Sequence, residues 1–373
     1  MTNSPPEPTV PAESTRPDPT SPPAPAAAPV IGVDVGGTLI KAAVVYADGQ
    51  VGARAEKPTP PARDADTVLS AVVSVVAGLR DRARSEATAG EVAAIGVAVP
   101  GIIDEQRGVA VMAANLGWRD TPVRALLSEA TGLPVALGHD VRSACVAEWR
   151  LGAARESDDA LLVTLGTGIG AGVVSDGRLL VGGGYAGQLG HVVVDPGGAR
   201  CTCGQHGCLA TLASATAVVR RYAERTAGSA EVAGNTANGT TANGTTANGT
   251  TANGTTAEFT ARDVARLART GDPAAAAVWE DAVAALADAL ATAVTVFGSE
   301  LVVLGGGLAL AGDQLVDPVR DRLRARLTFQ RQPRVVRAAM GAESGVLGAA
   351  LLGRAALVDA TAPLDAVPDG TGR

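Results

Sequence analysis

The sequence predicts an α/β protein of two lobes closing on a cleft, and three observations predict it. Apolar strands end in glycine loops at Gly36-Gly37, Gly166 to Gly170 and Gly305 to Gly307, spread over both halves of the chain. The first loop is followed by another strand and not by a helix. The length, 373 residues with 46% hydrophobic content, suits two domains with a sizeable core. Three loops so placed argue for one nucleotide clamped between two halves.

The chain outside this core reads differently. Residues 1–29 are proline-rich and hold no apolar run, so they lack the hydrophobic segment of a signal peptide and are expected to be a disordered tail. From Gly234 to Ala257 the unit Thr-Ala-Asn-Gly-Thr repeats in tandem with no apolar face, which predicts a disordered insertion over about 229–257. The net charge of −7 offers no footprint for nucleic acid or an anionic membrane surface. No apolar stretch is long enough to span a bilayer, and cysteine usage fits a reducing cytoplasm.

Taken in order, Val30 to Val35 reads as a buried strand, Gly36-Gly37 as a tight turn, and Leu39 to Tyr46 as a second strand. Ala47-Asp48-Gly49 is a hairpin turn into a third. A P-loop or dinucleotide fingerprint needs a helix after its glycines. Strand, Gly-Gly turn, strand instead resembles the phosphate loop of the actin and hexokinase architecture. There Asp34 can hold magnesium directly or through water, Gly36 and Gly37 admit phosphate to the backbone, and Thr38 offers a hydroxyl. Lys41 is a further candidate, its face depending on whether the strand bulges. The second loop, with Gly166, Thr167, Gly168 and Gly170, follows the strand starting at Ala160 and suits the other side of a triphosphate. The third, Gly305, Gly306 and Gly307, ends the strand starting at Leu301 and could accommodate an adenosine. Pro273 to Phe297 is expected as a surface helix, and Cys145 as an inert core residue.

Three of four cysteines and two of three histidines fall between His191 and Cys208. Cys201, Cys203 and Cys208 supply three ligands for a structural Zn²⁺, which takes four in a tetrahedron. The fourth is His191 or His206, and spacing alone leaves both open. Four protein ligands close such a site, so the metal would hold the loop and not react.

His139-Asp140 lies between an apolar strand from Val135 and a helix running to Leu151. Asp140 can cap that helix, or its carboxylate can take the proton of a hydroxyl attacking a γ-phosphate.

These features together resemble the ROK family of sugar kinases and sugar-responsive repressors over most of 30–357. The resemblance rests on Asp34-Val-Gly-Gly-Thr38-Leu-Ile-Lys41, Gly96-Val-Ala-Val-Pro-Gly101, Asn115-Leu116, His139-Asp140, Gly166-Thr-Gly-Ile-Gly170, Gly187-Gln-Leu-Gly-His191, Cys201-x-Cys203-Gly-x-x-Gly-Cys208 and Gly305-Gly-Gly307. It implies a two-lobed actin/hexokinase-like (ribonuclease H-like) ATPase fold. The first lobe would be 30–137 with a C-terminal helix 342–357, and the second 138–341 with a zinc loop at 187–209.

The resemblance also implies ATP with Mg²⁺, Asp140 as general base for the 6-hydroxyl of a hexose, and His191 as the fourth zinc ligand. Gly101, Asn115, His139, Asp140, Gln188 and His191 would line the sugar site, in a homodimer. The short tail leaves no room for the helix-turn-helix of the family's repressors. Three positions depart from the family pattern: His139 stands for Asn, Gln188 for Glu and Ala210 for Glu. Loss of a buried polar partner costs about 1–3 kcal/mol, so the preferred sugar is open between a hexose and an N-acetylhexosamine. A degenerate, non-catalytic sugar- or nucleotide-binding regulator is the further alternative.

Overall fold

The computed structural model describes residues 28–85, 90–233, 248–250 and 256–357. The tail up to residue 27, and 234–247 and 251–255 of the repeat, lie outside the described residues.

The first sheet begins with three antiparallel strands, β1 (Val30–Val35), β2 (Leu39–Val45) and β3 (Val51–Pro58). Helix α1 (Ala65–Ser85) returns the chain, and β4 (Ala94–Val99) pairs parallel to β1. A small meander follows, β5 (Ile102–Asp104), β6 (Val109–Ala113) and β7 (Trp118–Thr121). Then α2 (Val123–Thr131) leads to β8 (Val135–His139), parallel to β4, so the sheet order is β3-β2-β1-β4-β8. β1 and β4 are buried at nearly every position because helices cover the sheet, which is why both read as continuous apolar runs.

Helix α3 (Asp140–Leu151) carries the chain to a second sheet of the same plan. Its strands β9 (Ala160–Leu165), β10 (Ile169–Ser175) and β11 (Arg178–Leu179) are again antiparallel. After the cysteine loop come α4 (Ala210–Ala213), α5 (Ala215–Ala233), the ladder β12 (Asn248–Thr250) with β13 (Thr256–Glu258), α6 (Ala261–Arg269) and α7 (Pro273–Phe297). β14 (Leu301–Gly305) lies parallel to β9, α8 (Asp313–Arg326) crosses back, and β15 (Arg334–Arg337) completes the order β11-β10-β9-β14-β15. Each sheet thus has a glycine-turned hairpin beside parallel strands. The Gly36-Gly37 and Gly166 to Gly168 turns occupy equivalent places in the two sheets.

Two sequence expectations change. The segment expected as insertion from about residue 229 is helical to Ala233, and β12 pairs with β13 within the repeat. Helix α7, expected on the surface, is the spine of the second core: Val278, Trp279, Val283, Leu286, Leu290 and Val294 are all buried. Its alanines let neighbours approach closely, while its charges keep to one side, where Glu280, Asp281 and Asp288 meet Arg322, Arg221 and Arg326. A wide apolar face with one charged edge marks a helix packed on several sides.

The C-terminal helix α9 (Ser344–Ala355) packs against β1, β4 and α3. Glycine makes this possible. A Cβ on Gly32 would stand 2.1 Å from Val346 O, one on Gly96 1.6 Å from Ala349 O, and one on Gly348 2.0 Å from Ser143 O. The paired helices α3 and α9 thereby join the two sheets, and α3 begins with the candidate base.

Candidate active site

The turn between β1 and β2 is held from outside itself. Gly36 N–H donates to Leu39 O at 3.0 Å, Thr59 Oγ1–H donates to Gly36 O at 2.7 Å, and Thr59 N–H to Thr38 O at 2.9 Å. Thr59 is buried, so these bonds are shielded, and they leave Gly37 and Thr38 facing outward. Nothing in its sequence setting singles Thr59 out. Asn115 sits against the same turn: a Cβ on Gly37 would be 3.5 Å from Asn115 Cβ.

Asp34, next to last in β1, is paired in register with Lys41 on β2, so both side chains project from one face without a bulge. Burial pushes the Asp34 carboxyl up to about 7, the charge of Asp140 adds to the rise, and Lys41 opposes it. Asp34 and Asp140 are thus electrostatic neighbours, both at the carboxyl edge of the parallel strands β1, β4 and β8. A carboxylate so penalised is suited to a cation beside it. The N-terminus of α9 closes on Asp34, where a Cβ on Gly345 would be 2.3 Å from Asp34 Oδ2.

In the second sheet the loop Gly166 to Gly168 is narrower than its sequence suggests. Gly166 N–H donates to Gly168 O at 2.9 Å, while Gly170 is already in β10. A Cβ on Gly170 would reach 2.8 Å from Val141 Cγ2, so this glycine admits the start of α3 and does not shape the turn. The loop rests on the N-terminus of α5, through Ala215 N–H to Gly166 O at 2.9 Å and Thr216 Oγ1–H to Thr167 O at 2.8 Å. That end of a helix favours anions. β14 brings Gly305 into register with Thr164, and Gly306, at φ 83°, lies so close that a Cβ would be 2.5 Å from Leu165 O. Gly307 has open space on its side-chain face. The second and third loops therefore lie side by side at the ends of neighbouring parallel strands, the usual ligand edge of such a sheet.

His139 and Asp140 mark the step from β8 to α3. The cap role considered for Asp140 falls to His139, whose Nδ1 accepts from Arg142 N–H at 3.3 Å. Asp140 is the first helical residue and accepts from Val141 N–H at 2.7 Å through Oδ1. His139 Nε2 lies 3.4 Å from the same oxygen. Burial drives the His139 imidazole down to about 4; Asp140 opposes this and Arg142 reinforces it, so the ring is neutral at pH 7.

Beneath the pair, Glu105 Oε1 accepts from Arg142 Nη2 at 2.9 Å, Arg142 Nε at 3.1 Å and His139 N–H at 3.3 Å. Arg142 Nη1 continues to Gly184 O at 3.2 Å. Arg142 is fully buried, and a charge there needs such a partner set. The 37 positions between Glu105 and Arg142 hide this pair from any local sequence pattern.

Gly187 opens the cysteine loop in the left-handed region at φ 87°, where a Cβ would be 1.9 Å from Ala171 O. Gln188 and His191 are thereby held next to β10. His191, Cys201, Cys203 and Cys208 place one ligand atom each within 4.8 Å of one another, and His206 is outside this group. Cys203 Sγ is 3.7 Å from Cys208 Sγ, and Cys201 Sγ 3.7 Å from His191 Nδ1. A tetrahedral zinc with bonds of about 2.3 Å to sulfur has edges of about 3.8 Å, so these residues fit that ion. Burial pushes the Cys208 thiol up to about 12, with Cys203 and Cys201 adding to the rise. Cys145 is buried on α3, pushed up to about 12 by the same removal from water, and takes no part. Gly101, at φ 118°, is pinned near Met112 O, and its contribution can only be backbone.

Residues 30–356 match the family model described as the ROK family. A glucokinase of Halalkalibacterium halodurans is 33% identical over 324 residues, covering 85% of this chain and 92% of that protein. An N-acetylmannosamine kinase of Citrobacter koseri is 31% identical over 329 residues, covering 86% and 97%. The crystal structure of a ROK family glucokinase from Streptomyces griseus with glucose and AMPPNP superposes with a TM-score of 0.71 at 30% identity, covering 88% of this chain and 99% of that one. With its two equivalent sheets, its glycine turns and its His-Cys cluster, the chain belongs to the ROK family.

Proposed function

We propose that this protein is an ATP-dependent sugar kinase that phosphorylates a hexose at its 6-hydroxyl. The observation that carries the reading is that the parallel strands bring Asp34, beside the first glycine turn, and Asp140, at the start of α3, to one edge of the first sheet, where the charge of Asp140 acts on Asp34. One carboxylate adjoins the phosphate loop and the other is free to serve the acceptor. The fold relationship to a glucokinase holding glucose and AMPPNP supports the same assignment.

In this reading Asp140 accepts the proton of the 6-hydroxyl as that oxygen attacks the γ-phosphorus and the bond to the β-phosphate oxygen breaks, releasing ADP. The amides of Gly36 to Thr38 and Gly166 to Gly168 hold the phosphates from two sides, and Gly305 to Gly307 border the nucleoside. Asp34 would hold Mg²⁺, which when bound neutralises charge on the transferring phosphoryl, and the Lys41 ammonium, on the same face, would meet the phosphates. Asn115, Gln188 and His191 orient the sugar, and closure of the two lobes excludes water. The three unpaired thiols of the cluster suit a reducing cytoplasm.

A second acceptor is favoured by one observation. Ala210, where the family carries Glu, starts α4 next to Cys208 and offers no polar side chain. The missing polar side chain and the N-acetylmannosamine kinase relative support an N-acetylhexosamine. Incubation with MgATP and a panel of hexoses and N-acetylhexosamines, following ADP and sugar phosphate together, tests both. Sugar-dependent ADP release with matching sugar phosphate is expected. Bound ATP with no sugar phosphorylated would instead establish a degenerate regulator.

Zinc removal gives an independent check. Cys203→Ser leaves an incomplete ligand set, so the purified variant is expected to lose its zinc by elemental analysis and to be cut by protease within 187–209. Sugar KM should rise, because His191 and Gln188 lose their support. A variant that keeps a full complement of zinc would disprove this ligand set.

A further inference from the structure

Arg142 is completely buried and has no part in the proposed chemistry, yet its contacts join three separate parts of the site; the inference rests on the kinase reading above. Its Nη2 and Nε donate to Glu105 Oε1 at 2.9 and 3.1 Å, in the turn between β5 and β6. The remaining arm, Nη1, donates to Gly184 O at 3.2 Å, in the segment that follows β11. Glu105 Oε1 also accepts His139 N–H at 3.3 Å, one residue before the candidate base. A guanidinium presents its donors in a rigid planar fork, so a single group fixes the spacing of the acceptors on either side of it.

Both acceptors are themselves held. The Arg124 side chain on α2 donates to Glu105 O, and Gly184, at φ 94°, lies so close to β5 that a Cβ would be 2.7 Å from Ile103 O. Further along, Gly187 O accepts from Ala171 N–H of β10 at 2.7 Å, and Gln188 follows. The stretch 184–187 is thus pinned at one end by Arg142 and at the other by β10, while Tyr185 between them is 62% exposed. Apolar residues of similar volume often stabilise a core as well as a buried ion pair does, so what the site gains from this one is its geometry. We propose that Arg142 is a positioning residue for the acceptor side: its guanidinium sets the segment leading to Gln188 and His191 at a fixed spacing from the β8–α3 step that carries Asp140. A misplacement of reacting groups by about 1 Å costs about 100-fold in rate, which sets the scale of the effect.

The test is Arg142→Lys, which keeps the charge but replaces the fork by a single nitrogen, so the spacing of the two acceptors is no longer set. Hexose kcat/KM is expected to fall by about 10- to 100-fold. ATP KM should stay within about twofold, because Thr59 and the start of α5 hold the glycine turns. With no substrate present, chymotrypsin should cut after Tyr185 about fivefold faster or more than in the wild type. Thermal melting within a few degrees of the wild type shows that the fold is kept. If the lysine variant melts far lower, Glu105→Gln with Arg142→Met is measured in its place. That pair removes one charge of each sign, Gln still accepts from His139 N–H, and the same changes are expected of it. Wild-type hexose kinetics, an unchanged rate of cleavage, or a loss shared equally by ATP KM would each overturn the inference. Near wild-type turnover in Asp140→Asn would instead overturn the assignment of the base, while faster cleavage after Tyr185 would still support the bridge.

Discussion

Asp140→Asn is expected to lower kcat by about 10²–10⁴-fold, the range that a positioned general base contributes. The substitution is isosteric, and Asn Oδ1 can still accept from the Val141 amide now bonded to Asp140 at 2.7 Å. Since Asp140 makes no cap for α3, stability should be nearly unchanged, and melting within a few degrees of the wild type separates chemistry from folding. ATP KM should stay close to its normal value, because the phosphates are held by backbone at Gly36 to Thr38 and Gly166 to Gly168. The change also removes a negative neighbour from Asp34. That carboxyl, raised to about 7 mainly by burial and next by Asp140, should fall in the variant. Steady-state kinetics, with a carboxyl titration as second readout, would check both. Unchanged turnover would refute the role of Asp140.

A comparable loss, by a different route, is expected from Gly96→Val. Even the Cβ alone would lie 1.6 Å from Ala349 O and 2.5 Å from Gly353 N, both backbone atoms of α9. Neither β4 nor α9 can yield without parting, so destabilisation of about 3 kcal/mol or more is expected. Denaturant unfolding should show it, and limited proteolysis should cut at α9 first. Activity should fail with it, because α9 also abuts Asp34 at Gly345 and α3 at Gly348. Gly78→Ala is the control. Its Cβ would meet nothing within 4 Å on α1, so it should be neutral or stabilise by up to about 1 kcal/mol. Equal stability of Gly96→Val and wild type would show that α9 does not hold the sheet as described.

Much of this protein was legible in its residues because the signals are local. A strand needs only its apolar run and a turn only its glycines, so β1, the Gly36-Gly37 turn and β14 fall where their residues place them. The crowding of Cys201, Cys203 and Cys208 likewise pointed to one metal loop. Where a feature depends on distant partners, local pattern failed. Pro273 to Phe297 has the composition of a surface helix, and only the elements around it bury it. Gly170 reads as part of a phosphate loop, yet what demands glycine there is Val141, on a helix from another part of the chain.

The same division runs through the site. Sequence by itself determined the family, the identity of the candidate base and the ligand types of the cluster, since each is written in a short run of residues. Tertiary structure decided that His191 and not His206 joins the cysteines, because the backbone at Gly187 anchors His191 to β10. It also decided that Lys41 shares a face with Asp34, and that His139 caps α3 through Nδ1. Thr59 and Glu105 entered the site only through bonds spanning 23 and 37 positions. Hydrogen bonds and close contacts act through space over a few ångströms, and separation along the chain carries no trace of them until the chain has folded.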